Sequence, residues 1–454
     1  MLPASTILVV TLLASVASVH CQDDPWLPRE LGRFKLPHAG FVEVYQNSDE
    51  EGDYMDRLTL YISTFNAAAL FIEDPVFKLH APGKFMDFID QWNEIMQQMG
   101  GEDASTALWP NYPVRLPKEM AGFDGILQTS GFIPPGKTRG QLEIYNEETR
   151  SGPWNIASAD PKDYSYHWVV WKDVDGDGLL DAMVARFHSG LTGNTESQLV
   201  WMKNPGNLGA DGSNWDNWEQ NVLINEGPDV YLQFEKLEAD GIVYDTFVTG
   251  ELWTERIMLY YVEDAPGAWS DPANIQSVII DEKPGVPFEA HFYDLNNDGK
   301  LEILASAIDE SVEDAAGGRL LAYMQPDDFR TPNWELKVIS APFVATLPIV
   351  GNRMTPGKQR MFYPSQEYSE QTTEFGPMKP WILLSGDDDG NHYVVYPASE
   401  DRDDWTYERH LIVETGKATS GTMAVVDLDN DGFVEIIAAG YSAGEVYVFT
   451  YAPE

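Results

Sequence analysis

The chain of 454 residues predicts an all-β fold, a β-propeller of seven four-stranded blades. Two observations carry this: an acidic motif that returns at a fixed spacing, and a four-strand pattern inside each repeat. The motif first appears in "WKDVDGDGLLDAMVARF", residues 171–187. Asp173, Asp175 and Asp177 alternate there, followed by Gly178, Asp181 and an apolar run. It returns in "YDLNNDGKLEILASAI" as Asp294, Asn296, Asp298, Gly299 and Glu302. "VDLDNDGFVEIIAAGY" carries Asp427, Asp429, Asp431, Gly432 and Glu435. Weaker echoes place Asp-Gly at 124–125 and 240–241. The aspartates before these glycines are spaced by 53, 63, 58 and 133 residues, the last gap being close to two periods. One repeat lacking the loop is therefore expected near 365, and another unit starts near Asp56, which makes seven. A period of this size holding four strands indicates a propeller blade, and closing the ring hides sheet edges that would otherwise pair with other chains.

Each clear unit is read in the same order. A tryptophan heads a short β-rich run, as in "WEQNVLI" from Trp218, "WELKVIS" from Trp334 and "WTYERHLI" from Trp405. An apolar strand, the acidic loop, a strand such as "VEIIAAGY", a glycine turn and a strand such as "EVYVFTY" follow. β-branched and aromatic residues between turn signals favour strands. One segment departs from this. "KFMDFIDQWNEIMQQMGG" sets Phe85, Phe88, Ile89, Trp92, Ile95, Met96 and Met99 at helical spacing, so an inserted amphipathic helix is expected over about 84–100.

Residues 1–21 read as a secretory signal peptide, with an apolar run from Ile7 to Leu13, small residues, and cleavage after Ser18 or Cys21. That run is too short to span a bilayer, so no membrane span is expected. Residues 22–454 then form a single propeller domain, secreted and extracellular. The one cysteine, Cys21, sits at the cleavage point, so the mature chain has no disulfide. A net charge of −44 excludes nucleic acid as a partner and favours cations.

Two acids about 4 Å apart repel by roughly 4 kcal/mol at an effective dielectric of 20, a cost that a hard cation offsets. Oxygens from positions 1, 3, 5 and 9 of such a loop, with the carbonyl at position 7, can surround calcium, and glycine at position 6 lets the chain turn back. An all-oxygen set favours Ca2+ over zinc. The EF-hand alternative fails, because it needs glutamate at position 12, where Val184, Ala305 and Ala438 stand.

The loops, the tryptophan-led units and the period resemble FG-GAP/VCBS-type calcium-binding β-propellers, an architecture shared with integrin α-subunit heads. The resemblance is specific over about residues 160–454. It implies three calcium ions. Their ligands would be Asp173, Asp175, Asp177, the Leu179 carbonyl and Asp181; Asp294, Asn296, Asp298, the Lys300 carbonyl and Glu302; and Asp427, Asp429, Asp431, the Phe433 carbonyl and Glu435.

No His-Glu-x-x-His motif is present, and no catalytic residue is assigned. His167 and His291 precede two of the loops and are expected near the central channel. The reading is an extracellular binding or matrix protein that meets a protein, a polysaccharide or a mineral surface such as shell. A lectin, suggested by 14 tryptophans, and a carbohydrate lyase or dehydratase with a site in the channel are the alternatives.

Overall fold

The computed structural model describes residues 27–47, 52–69, 71–101, 107–134, 136–157, 162–189, 195–308, 317–345, 355–416 and 418–454. The expected signal peptide lies outside these residues. Seven four-stranded antiparallel sheets make up the architecture, as the period predicts. Blade 1 runs from 39 to 98, blade 2 from 110 to 155, blade 3 from 165 to 225 and blade 4 from 233 to 281. Blade 5 runs from 286 to 343 and blade 6 from 359 to 414. Blade 7 takes three strands from the C-terminal end, within 423–450, and its fourth from the N-terminal end, Arg29–Lys35. That strand pairs from Arg29 against Thr450 to Lys35 against Glu445, so the two ends of the chain lock the ring. The unit expected near 365 is blade 6, whose first and second strands are joined by residues 363–380.

The phase of the repeat differs from the sequence reading. The tryptophan-led runs at 218, 334 and 405 are the outermost strands of blades 3, 5 and 6, so each ends a blade and does not begin one. The repeat in sequence therefore straddles two blades. The N-terminal strand is the same element, displaced onto blade 7, which is why closure joins the two ends.

The helical segment is shorter than its apolar pattern. Helical turns run from Pro82 to Gln91 and Trp92 to Ile95, with non-helical backbone at Phe85 and Phe88. Gln97–Gln98 then joins blade 1 as its outer strand before the double glycine. Ile89 and Trp92 are buried against the N-terminal strand and blade 7, whereas Phe88 and Ile95 stay exposed. The segment packs where the first and last blades meet.

Apolar residues alternate across the strands and fill the spaces between blades. Trp218 and Trp334 are buried there and Trp405 is half-buried, so these recurring tryptophans are packing residues and offer no open stacking face.

Candidate functional site

Each acidic loop joins the innermost strand of a blade to the second strand, in blades 3, 5 and 7. All three loops share one hydrogen-bonding scheme. The first acid accepts the glycine N–H: Gly178 to Asp173, Gly299 to Asp294 and Gly432 to Asp427, each at 3.0 Å. The side chain at position 3 accepts from the N–H at position 5: Asp177 to Asp175 at 3.2 Å, Asp298 to Asn296 at 3.1 Å, Asp431 to Asp429 at 3.2 Å. Position 5 accepts from position 7: Leu179 to Asp177 at 2.9 Å, Lys300 to Asp298 and Phe433 to Asp431 at 2.8 Å. The acid at position 9 reaches back to the N–H at position 2: Val174 to Asp181, Leu295 to Glu302 and Leu428 to Glu435 at 3.1, 2.9 and 2.7 Å. Side-chain acceptors thus hold the bend by its amides, and Gly178, Gly299 and Gly432 all have positive φ, which glycine adopts without strain.

The loops differ in how closely their acids converge. Asp173, Asp175 and Asp181 each bring a carboxylate oxygen within 4.8 Å of the others, as do Asp427, Asp429 and Glu435. In the second loop Asn296 replaces an acid, and no such trio forms among the described residues. Glu302 there is buried, and its Oε1 has no hydrogen-bond partner among the described residues. Burial pushes Glu302 up to about 8 and Glu435 to about 7, which a nearby cation would reverse. In the first loop the Lys203 ammonium contacts Asp175 and lies 3.1 Å from Asp177. The Leu179 N–H and Lys203 together hold Asp177 below the usual carboxylate range.

The echoes at 124 and 240 are turns. Asp240-Gly241 is a two-residue hairpin with positive φ at both positions, and Lys236 pairs with Asp264 at 2.6 Å. Asp124 accepts from Lys118 at 2.9 Å.

A second cluster, in the channel itself, escaped the sequence reading. His291 lies beside Glu289, whose Oε2 is 2.8 Å from His291 Nε2 and 3.2 Å from Arg360 Nη1. The Tyr112 hydroxyl donates to the other Glu289 oxygen, and Lys358 pairs with Glu43. Burial alone would raise Glu289, but Arg360 and His291 outweigh it and hold it at about 2. Burial lowers His291 to about 4, so it is neutral and donates from Nε2 to the carboxylate. Glu43 and Glu289 are balanced by Lys358 and Arg360, contributed by the innermost strands of blades 1 and 5 and the start of blade 6. These residues are scattered over more than 300 positions and share no motif, so only the ring brings them together. His167 is in the channel too, but apart from this network. Its neighbours are the rings of Phe41, Phe132, Phe187 and Phe288, and neither ring nitrogen has a partner among the described residues.

No family model matches the chain, and no curated protein does. Among solved structures it is similar to an α-L-arabinanase of Penicillium chrysogenum complexed with arabinobiose. That match has 12% identity and a TM-score of 0.41, covering 75% of this chain and 92% of that one. It is also similar to the extracellular domains 1-2 of Drosophila Semaphorin 1a, at 11% identity and a TM-score of 0.45, covering 94% and 88%. A third similarity is to the Dos1 propeller, at 11% identity and a TM-score of 0.40, covering 88% and 77%. At such identities the likeness concerns the fold alone. Among the described residues no helix is long and apolar enough to cross a membrane.

Proposed function

We propose that this chain is a secreted, calcium-loaded propeller of the FG-GAP/VCBS type that acts as an extracellular binding or matrix protein, in a calcified matrix such as shell. The observation that carries this reading is the single hydrogen-bonding scheme repeated in three loops, which in two of them accompanies three carboxylates within 4.8 Å of one another. The donor set is all oxygen and suits a hard cation. The orphaned Oε1 of Glu302 is a buried acceptor that such a cation would satisfy. In this reading Asp173, Asp175, Asp177 and Asp181 hold one ion, Asp294, Asn296, Asp298 and Glu302 a second, and Asp427, Asp429, Asp431 and Glu435 a third. The carbonyls of Leu179, Lys300 and Phe433 complete them. When bound, calcium neutralises the loops and cross-links each innermost strand to its neighbour. The charge of −44 supports a partner that is cationic or rich in calcium.

Thermal unfolding tests the metal. EDTA should lower the midpoint by many degrees and added calcium should restore it, because a ligand of the folded state alone stabilises by mass action. Equal midpoints with and without calcium would sink the reading. For the matrix role, the protein should be recovered from the mineral phase of a hard tissue, and its absence there would remove that role while leaving calcium binding standing.

A further inference from the structure

The acidic loops lie at one end of the channel. At the other end, where the innermost strands begin, a cavity of ≈ 80 Å³ opens among residues from six of the seven blades. Phe132, Trp109 and Phe65 form a row of near-parallel rings along it, with centroids 5.5 and 4.2 Å apart and planes inclined by 23° and 25°. Phe41 and Phe288 also line it. Into this aromatic surround faces His167, only 1% exposed, with both ring nitrogens unpartnered among the described residues. A neutral imidazole carries one donor and one acceptor, and buried polar groups are otherwise nearly always satisfied.

Asp387 stands in the same wall. Its backbone has φ of 52°, as Trp109 has φ of 55°, conformations unusual for residues other than glycine and found where local structure serves a site. Among the described residues the Asp387 carboxylate receives no hydrogen bond or ion pair; burial, with Asp388 and Asp389 beside it, pushes it well above the usual carboxylate range, a cost that a bound cation relieves. Asp388 accepts from Thr419 at 2.8 Å, and Asp389 from Tyr393 at 2.7 Å. The lysine in the wall, Lys358, is engaged by Glu43 and leaves Asp387 without a counter-charge. The rings stack on one another, with Tyr441 against Phe65 at 4.6 Å, so they form an apolar wall that keeps water away and strengthens the pull of a nearby carboxylate on a cation.

We propose that this channel mouth binds a small organic cation. Its ammonium charge lies between the ring row and Asp387, and a neighbouring hydroxyl or amine meets His167. The chemistry differs from calcium ligation and the site lies on the opposite face, so failure of the calcium reading would leave this one intact.

Calorimetric titration of the full chain tests it, with choline and its uncharged isostere 3,3-dimethylbutan-1-ol as probes and glucose as a neutral sugar. Choline should bind, and the isostere at least tenfold more weakly. Asp387→Asn should cost choline at least tenfold with little change in the thermal midpoint, because asparagine tolerates positive φ. If that variant does not fold, His167→Gln serves in its place and should weaken choline in the same way. Absence of choline binding in the millimolar range, equal binding of the two isosteres, preference for glucose, or undiminished affinity in the folded variant would each overturn the proposal.

Discussion

His167 shows how one buried side chain sets both a cost and a dependence on pH. Burial lowers it from 6.5 to about 3. Between those values the unfolded chain binds a proton that the folded chain refuses, so stability rises with pH there. The contribution is complete above about pH 6.5 and lost as the pH falls below it. His167→Phe removes the proton linkage and two unpaired buried nitrogens, and suits the phenylalanine surround. The variant should have a flatter dependence of thermal midpoint on pH between 6.5 and 4 and be no less stable at pH 7.5. A slope identical to that of the parent would contradict the assignment. Lys203 raises a different question, since its ammonium stands against two of the first loop's acids. On the proposed calcium reading, Lys203→Met should strengthen binding at that loop several-fold, as read by titration; weaker binding would show that the lysine organises the loop.

At the scale of elements, the acidic bends are the parts whose sequence specifies their geometry. Their acceptors lie two to seven residues from the amides they hold, so the motif writes its own hydrogen bonds wherever it occurs. The helical segment is the opposite case. Its apolar spacing predicts a helix through residue 99, yet Gln97–Gln98 is drawn into blade 1 because an outer strand there would otherwise be missing. The start of that segment is held by close approach. A Cβ at Gly83 would lie 2.0 Å from the Leu428 carbonyl oxygen, beside the third acidic loop, whereas one at Gly52 would meet nothing nearer than 3.6 Å. Gly83→Ala should cost about 1–3 kcal/mol in urea unfolding, and Gly52→Ala should be near neutral. Equal effects would mean that the contact between the first and last blades is unimportant.

The whole molecule depends on joining its ends. Without the strand Arg29–Lys35, the strand Glu445–Thr450 becomes an open edge, the kind of surface that aggregates. A chain beginning at Leu36 should lose cooperativity, unfold many degrees lower and self-associate. A peptide spanning residues 27–37 should restore it in part. An unchanged midpoint for the shortened chain would show that the ring is closed by blade packing alone.

The units, their strand content and the acidic bends were legible because, apart from the strand that closes blade 7, each rests on contacts within one repeat, and such contacts leave a period in the sequence. The assignment of each tryptophan-led strand to its blade was not legible, since a repeat does not reveal where the unit is cut. Neither the Glu289–His291–Arg360 network nor the aromatic cavity with His167 and Asp387 could be read from the chain. Each is built from single residues on different blades, and no local rule couples their positions. The sequence by itself determined the blades and the acidic bends between their strands; only closure of the ring, which converts distant innermost strands into neighbours, decided what the channel contains.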